Sequence, residues 1–353
     1  MSRTPTIAVD LAKSVFEVAC SDRPGRVSAR HRFTRAQFAR FVATTPPATV
    51  VMEACGTGHY WGRQAQAHGH RVVLLAPHAV RPYVQRNKTD RSDAKALLEA
   101  LRNDALPPVP VKSVAQQALT ALHRLRSTWL ATRTARLNTV RGLLREFGVV
   151  IPVGAHHVRP AVTALLADPD SVLPAVLRPA LDGALGEIAA LEQRLHTVEQ
   201  QLTALAVTLP AVATLRTIPG VGLLTATALV GFVGDAQRFP TARHFASYLG
   251  LTPKEHSSGS RRRLGAISKR GDTYLRMLLT HGARSVLCHA KRPTARPHRL
   301  SQWALALAHR RGHNPAAIAL ANKLARIAWA VWTTDTPFAA QPSQQTPLTL
   351  VEA

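Results

Sequence analysis

Two aspartates stand three residues apart in the stretch KTDRSDAKAL, in a chain of 353 residues that sets 20 acids against 45 lysines and arginines. On a helix, residues at i and i+3 are surface neighbours, so the carboxylates of Asp90 and Asp93 would repel each other. Either Lys88, Arg91 and Lys95 neutralise them at a solvated helix start, or a divalent cation lies between them. Two further acids bear on the choice: Asp10 ends the apolar run TIAVD, and Glu53 ends the apolar run TVVME. Neighbouring strand ends on one sheet edge, with a helix start packed beside them, would bring all four carboxylates together. Such a site can hold two Mg²⁺ (or Mn²⁺) ions about 4 Å apart, clamping the attacking and leaving oxygens of a phosphodiester. Mg²⁺ takes carboxylate oxygens and keeps several waters, so no His or Cys is required.

Each acid also has a plainer use. A strand-end Asp is commonly a turn or cap residue, and Asp90 and Asp93 would serve as ordinary helix-start acids. Glu53 is harder to set aside, since it closes an apolar run and needs a partner if partly buried. Taken together, in a basic chain with an RNase H-like order of elements, the four favour the metal reading.

The elements that must position these acids alternate between strand and helix. TIAVD, VFEVAC and RVSARHRF read as strands, TRAQFARFV as a helix capped by Thr34, and TVVME as a buried strand. GHYWGRQAQAHG is a helix stopped by Gly69, RVVLLA another strand, and RSDAKALLEALR a helix beginning near Asp90. Alternating strands and helices imply an α/β sheet covered on its faces.

PPVPV breaks that pattern at residues 107–111, and a long helix follows from Gln116 to Phe147. Arg124, Arg126, Arg133, Arg136, Arg141 and Arg145 line it against the single acid Glu146. A solvated helix mixes signs, so this one is expected to lie along phosphates. From Leu181 to Leu205 a heptad runs through Leu181, Ile188, Leu195 and Leu202, with Ala184, Leu191, Val198 and Leu205 as its second seam. About four heptads argue for a coiled coil between subunits, with an antiparallel hairpin inside one chain as the alternative. The PGVG turn, with Gly220 and Gly222, resembles a helix-hairpin-helix whose glycine amides approach a phosphate. Beyond it a basic segment carries Lys254, Arg261, Arg262, Arg263, Lys269, Arg270 and Arg276 against only Glu255 and Asp272.

The formal net charge of +25 makes a polyanion the expected partner. No secretory leader is evident, because Asp10, Lys13 and Glu17 interrupt the first apolar stretch. The uncharged run 217–234 is broken at its front by Pro219, Gly220 and Gly222, leaving roughly a dozen helical residues where a membrane span needs about 20. Three cysteines, Cys20, Cys55 and Cys288, form no framework and fit a reduced cytoplasm. Sugar kinases and actin-like ATPases share the opening strand order, but their phosphate-binding turn needs glycines that VDLAKS lacks. The last twenty residues, rich in Thr, Pro and Gln, are expected to be disordered.

VDLAKSVFEVA, VVMEACGTGHYW, NKTDRSDAKAL and PGVG…LGLTPKEHSSGSRRRLGAISKRGD together resemble the DEDD transposases of bacterial insertion sequences, recombinases related to the Piv DNA invertase. The resemblance spans roughly residues 5–330. It implies a RuvC-like N-terminal domain, with Asp10, Glu53, Asp90 and Asp93 as the four acids and metal ligands. It also implies a serine nucleophile in the loop HSSG, here Ser258, with Ser257 in reserve. Tetramers guided by a structured bridge RNA are known in that family.

The expected architecture is therefore an α/β RNase H-like (RuvC-like) domain with a basic helical extension over 1–150. A linker and coiled coil follow over 151–208, a mostly α-helical domain with the serine over 209–333, and a tail over 334–353. The expected function is a metal-dependent DNA recombinase that cuts and rejoins element ends and target DNA. A RuvC-like nuclease or Holliday-junction resolvase, hydrolysing with water, is the rival, and a non-enzymatic nucleic-acid binder the third reading. Expected partners are DNA, a guide RNA and further copies of the chain. Lys88, Arg91, Arg124, Arg133, Arg136, Arg141, Gly220, Gly222, Arg261, Arg262, Arg263, Lys269 and Arg270 are the expected nucleic-acid contacts.

Overall fold

The structure is a computed structural model that describes residues 5–23, 26–84, 90–292, 294 and 298–339, with residues 90 and 91 described for the backbone alone. It divides into two compact units, Met1–Gln116 and Gln117–Ala353. The first is a mixed α/β sheet domain, the second mainly helical.

The first unit runs β1 (Thr6–Leu11), β2 (Val15–Ser21), β3 (Ala29–Thr34), α1 (Arg35–Thr44), β4 (Thr49–Glu53), α2 (Gly58–Ala67), β5 (Arg71–Leu75), α3 (Pro77–Val80) and α4 (Asp90–Leu101). Its sheet has the order β3-β2-β1-β4-β5. The first three strands are antiparallel neighbours, and β4 and β5 run parallel to β1. This arrangement is compatible with an RNase H-like domain. Thr34 caps α1 as expected, through a full capping box with Gln37.

Side chains alternate across a strand, which decides what each face buries. Ile7, Val9, Val50 and Met52 share a core with Phe16, Phe38 and Trp61, whose rings meet edge to face at 5.0–5.3 Å. Ala8, Ala19, Val51 and Val73 turn to the other face, where Ala94, Leu97 and Leu98 of α4 cover them. Small alanines on both sides let this helix lie close to the sheet.

The second unit carries α5 (Val114–Arg145), α6 (Val158–Ala167), α7 (Arg178–Val207), α8 (Pro210–Arg216), α9 (Leu223–Val233) and α10 (Ala242–Tyr248). A two-stranded hairpin, β6 (Pro253–Glu255) and β7 (Leu264–Ile267), precedes α11 (Thr273–Ala290), α12 (Arg299–Arg311) and α13 (His313–Thr334). The heptad of α7 is filled from within the chain. Leu181, Leu185 and Ile188 pack with Leu137, Val140 and Leu144 of α5 and with Val158 and Val162 of α6. Three ion pairs, Arg126–Glu199, Arg133–Glu192 and Arg136–Glu187, step down α7 as they step up α5, so the two helices are antiparallel. The coiled coil expected between subunits is thus, for this face, a helical hairpin inside one chain.

Helix α9 is buried along nearly its whole length. No helix among the described residues is long and apolar enough to cross a membrane. Gly220, at φ +82°, sits against Gly282 of α11 so tightly that a Cβ on it would lie 2.7 Å from the Gly282 carbonyl oxygen. Gly220 of the PGVG turn is therefore needed for close packing against α11. Gly222 does face open space, as the N-cap residue of α9.

Candidate active site

Strand register sets the acids. Val9 pairs with Met52 across the parallel strands, so Asp10 and Glu53 follow side by side at the two strand ends. Neighbouring strands lie about 4.8 Å apart. Both residues share the parity of Ala8 and Val51, hence the face that α4 covers. The start of α2 crowds this edge, since a Cβ on Gly58 would lie 2.6 Å from the Glu53 carbonyl oxygen.

Asp93 sits in the first turn of α4, half-buried, and its Oδ1 is buried with no hydrogen-bond partner among the described residues. A buried carboxylate oxygen in that state is costly, and a cation is one of the few groups that relieves it. The backbone of Asp90 opens the same helix. Among the described residues no three His, Cys, Asp or Glu side chains gather closely enough to hold an ion. The fold therefore places Asp10 and Glu53 together and Asp93 on the helix that covers their face, and among the described residues no three carboxylates form one cluster. All donors at hand are carboxylate oxygens, the chemistry that suits Mg²⁺ or Mn²⁺.

Sequence reasoning missed one acid of this row. Glu17 is the cross-strand partner of Asp10 in the antiparallel register and turns to the same face. Arg32 of β3 holds it at 3.4 Å. Only the strand order reveals that proximity.

The serines lie in the second unit, beyond the ends of β6 and β7. Ser258 and Arg261 exchange both backbone hydrogen bonds, at 3.2 and 3.1 Å, closing a two-residue turn of Gly259 and Ser260. Gly259 has φ +56°, the left-handed value that a glycine at the first central position supplies. The Ser257 hydroxyl donates to Glu255 Oε1 at 2.8 Å and accepts from the Arg263 backbone N–H at 3.1 Å. The Ser258 side chain is exposed and makes no hydrogen bond among the described residues.

Lys254, Arg261, Arg262, Arg263, Lys269 and Arg270 are exposed on and beside this hairpin. The two acids expected among them have assigned positions. Glu255 holds Ser257, with Arg262 at 3.7 Å, and Asp272 caps α11 by accepting from the Leu275 N–H. The hairpin root is fixed by crossing backbones: Gly250 (φ +71°) meets Arg270, and Gly271 (φ +105°) meets Tyr248. Lys269 N–H and Ser268 N–H donate to the carbonyls of Gly250 and Thr252.

On α5 the arginine row is partly spent. Arg126, Arg133 and Arg136 are ion-paired to α7, and Arg141 donates to the carbonyls of Pro152 and Gly154 at 2.7 and 2.6 Å. These contacts engage Arg133, Arg136 and Arg141 within the helical unit. Arg124 and Arg145 remain exposed. Lys88 lies outside the described residues, as does the side chain of Arg91.

Comparison with known proteins gives two matched regions, the first of which extends past the boundary between the two units. The family model described as a transposase matches residues 7–149, and the Transposase IS116/IS110/IS902 family matches residues 212–299. A probable family 20 transposase of Pseudomonas aeruginosa is 44% identical over 94% of this chain and 97% of its own length. The transposase for insertion sequence element IS1111A of Coxiella burnetii is 38% identical over 93% of this chain and 89% of its own length. The chain belongs to the IS110 family of transposases. A pilin gene-inverting protein of Moraxella bovis is also similar, 28% identical over 60% of this chain and 58% of its own. In this IS110-family transposase the four acids fall within the first match and the serine hairpin within the second. Family membership makes the chain an enzyme of DNA transposition or recombination.

Proposed function

We propose that the chain cuts and rejoins DNA strands through a covalent serine link, with its acids holding Mg²⁺ or Mn²⁺. The observation that supports this reading is Ser258: an exposed hydroxyl with no hydrogen-bond partner among the described residues, beside a tight turn and close in sequence to Arg261, Arg262 and Arg263 on a rigidly rooted hairpin. Its oxygen forms a bond to the scissile phosphorus while the strand's own P–O bond breaks. The serine proton is released and the departing oxygen takes one up. The phosphoserine keeps the energy of the broken bond, so rejoining to a new strand needs no nucleotide triphosphate. Arg261, Arg262 and Arg263 stand where charge on the phosphate oxygens can be stabilised.

Asp10, Glu53, Asp90 and Asp93 are the residues that would hold the metal. When bound, it polarises the phosphate and activates an attacking oxygen. Asp93 supports this assignment, because its buried Oδ1 has no hydrogen-bond partner among the described residues. A structured guide RNA and assembly into dimers or tetramers complete the proposal, following the family resemblance. A DNA substrate nicked beside the cut tests it: with Mg²⁺ the protein should be trapped on the strand through a phosphoserine. Clean metal-dependent cleavage with no adduct surviving denaturation would make the chain a hydrolytic nuclease instead.

A further inference from the structure

A cleft of about 800 Å³ opens at the root of the serine hairpin, within the range of roughly 300–1,000 Å³ typical of small-molecule sites. Pro253 and Ile267 come from the two hairpin strands, Trp303 from α12, and Ile318 and Ala319 from α13. Those walls are apolar and one is a half-buried indole. Two amides, Asn314 and Asn322, and two cations, Lys323 and Arg326, complete the lining. Asn322 donates its amide N–H to the Leu251 carbonyl at 3.1 Å, which directs its side chain and leaves the amide oxygen as an acceptor.

The charges here are one-sided. Lys323 and Arg326 have no carboxylate partner among the described residues. The Lys323 ammonium rests over the Trp303 ring, 4.0 Å from its centroid. Burial, then Arg326 and Arg299, pull its pKa below the ordinary lysine value. A crowded cation lying on an aromatic face suits a ligand that brings both a flat ring and an anion.

We propose that this cleft receives one unstacked base of a DNA strand, with Trp303 against the base and Lys323 and Arg326 on its flanking phosphates. On entry the base takes over the indole face and Lys323 moves to a phosphate, which relieves its repulsion from Arg326. An acceptor at Asn322 meets the exocyclic or ring N–H of the base edge. Enzymes acting on nucleic acid extrude bases at modest cost where stacking is already disturbed. From Pro253 to Ser258 the chain can span at most about 17 Å at ~3.4 Å per residue, about five base steps of duplex DNA. A base held in the cleft would thus lie within a few nucleotides of the strand at the hairpin tip and fix its register there. The proposal rests on DNA as the substrate and not on the serine chemistry.

The test is equilibrium binding of the full chain in EDTA, where no cleavage occurs, to a twelve-nucleotide oligothymidylate and to an abasic twelve-mer of equal charge. The expected result is about tenfold tighter binding of the base-bearing strand, the size that one base–aromatic stack contributes. Trp303→Leu should bring that ratio to about one while leaving abasic affinity unchanged. Ala319→Phe, which fills the cleft and spares the indole, should do the same. Replacing Lys323 and Arg326 with Ala should weaken both ligands alike and flatten the salt slope by about 1.4, at ~0.7 per single-strand phosphate contact. A wild-type ratio near one overturns the proposal, as does a ratio that survives either cleft substitution in a folded variant. A ratio seen with oligouridylate against abasic RNA, and absent with DNA, would assign the cleft to RNA instead. Loss of the phosphoserine adduct in Ser258→Ala would leave all these readings untouched.

Discussion

The Ser257 hydroxyl is held by the Glu255 carboxylate at 2.8 Å, while its exposed neighbour Ser258 has no such partner among the described residues. Two adjacent serines therefore stand in different surroundings. Ser257 is tied at both its donor and its acceptor, and so braces the strand that leads into the turn. Ser258→Ala should erase the covalent adduct and recombination together. Ser257→Ala and Glu255→Gln should each slow strand transfer by about tenfold, the scale of a lost charge-assisted hydrogen bond, and still yield adduct. Adduct formation on a nicked DNA, followed on denaturing gels, reads all three. Should Ser257→Ala remove the adduct while Ser258→Ala keeps it, Ser257 is the nucleophile and Glu255 its base.

The acids make a separable prediction. Asp10→Asn, Glu53→Gln and Asp93→Asn should each reduce cleavage by at least about a hundredfold, in line with the charge stabilisation a bound metal supplies. DNA affinity should stay within about twofold, because it rests on the basic surface. Glu17→Gln should cost no more than about threefold, since Arg32 already neutralises that carboxylate. A loss for Glu17→Gln as deep as that for Glu53→Gln would show that Glu17 is a ligand. Metal-dependent stabilisation gives a second readout: Mg²⁺ or Mn²⁺ should raise the melting temperature of the wild type but not of Asp93→Asn.

The strands around this site were legible because each is an apolar run closed by an acid, and β4 falls on residues 49–53 as its composition predicts. That Asp10 and Glu53 end on adjacent strands was expected; that Glu17 stands across from Asp10 required the observed register. The partners of the arginine row were hidden for a related reason. Arg133 meets Glu192 across 59 residues, and no local pattern on α5 announces a partner on α7. The packing role of Gly220 was hidden because a glycine needed for helix contact and one needed for a phosphate look alike in sequence. The cleft beside Trp303 gathers residues 251–326 from four elements, so no spacing could have shown it.

Burial of the α7 seam inside the chain changes what its disruption does. Ile188 is 1% exposed, so Ile188→Glu places a carboxylate in an apolar core. The cost should be about 4 kcal/mol, lowering the melting temperature of this unit by about 10 °C. Leu195, only half-buried, should tolerate Glu with a much smaller loss. Thermal melts beside sedimentation separate the possibilities. An unchanged melt with a smaller sedimenting species would mean that the seam joins subunits. Arg133→Ala should likewise reduce stability, by up to about 1 kcal/mol, without altering DNA affinity.

His123 supplies a pH dependence that does not involve catalysis. Its ring is fully buried on α5, bonded to Thr227 Oγ1 at 2.9 Å and to the Tyr274 hydroxyl at 3.0 Å. Burial, with Arg126 adding to it, pushes its pKa from 6.5 down to about 4. The neutral ring is thus favoured by the fold, and the unfolded chain binds the extra proton first as pH falls. The contribution is fully present above about pH 6.5 and is lost progressively down to about pH 4. Between pH 8 and pH 5 this group alone should remove about 2 kcal/mol from the stability of the helical unit. His59 in the sheet unit is shifted the same way, to about 4, so the decisive comparison is within one unit. His123→Gln keeps a polar group of similar reach but cannot titrate. Denaturant melts of the helical unit should therefore show a pH slope that is flatter in His123→Gln by about 2 kcal/mol over this window. Equal slopes in both proteins would mean that His123 charges without unfolding the core around it, and that the polar cluster with Thr227 and Tyr274 accommodates the proton.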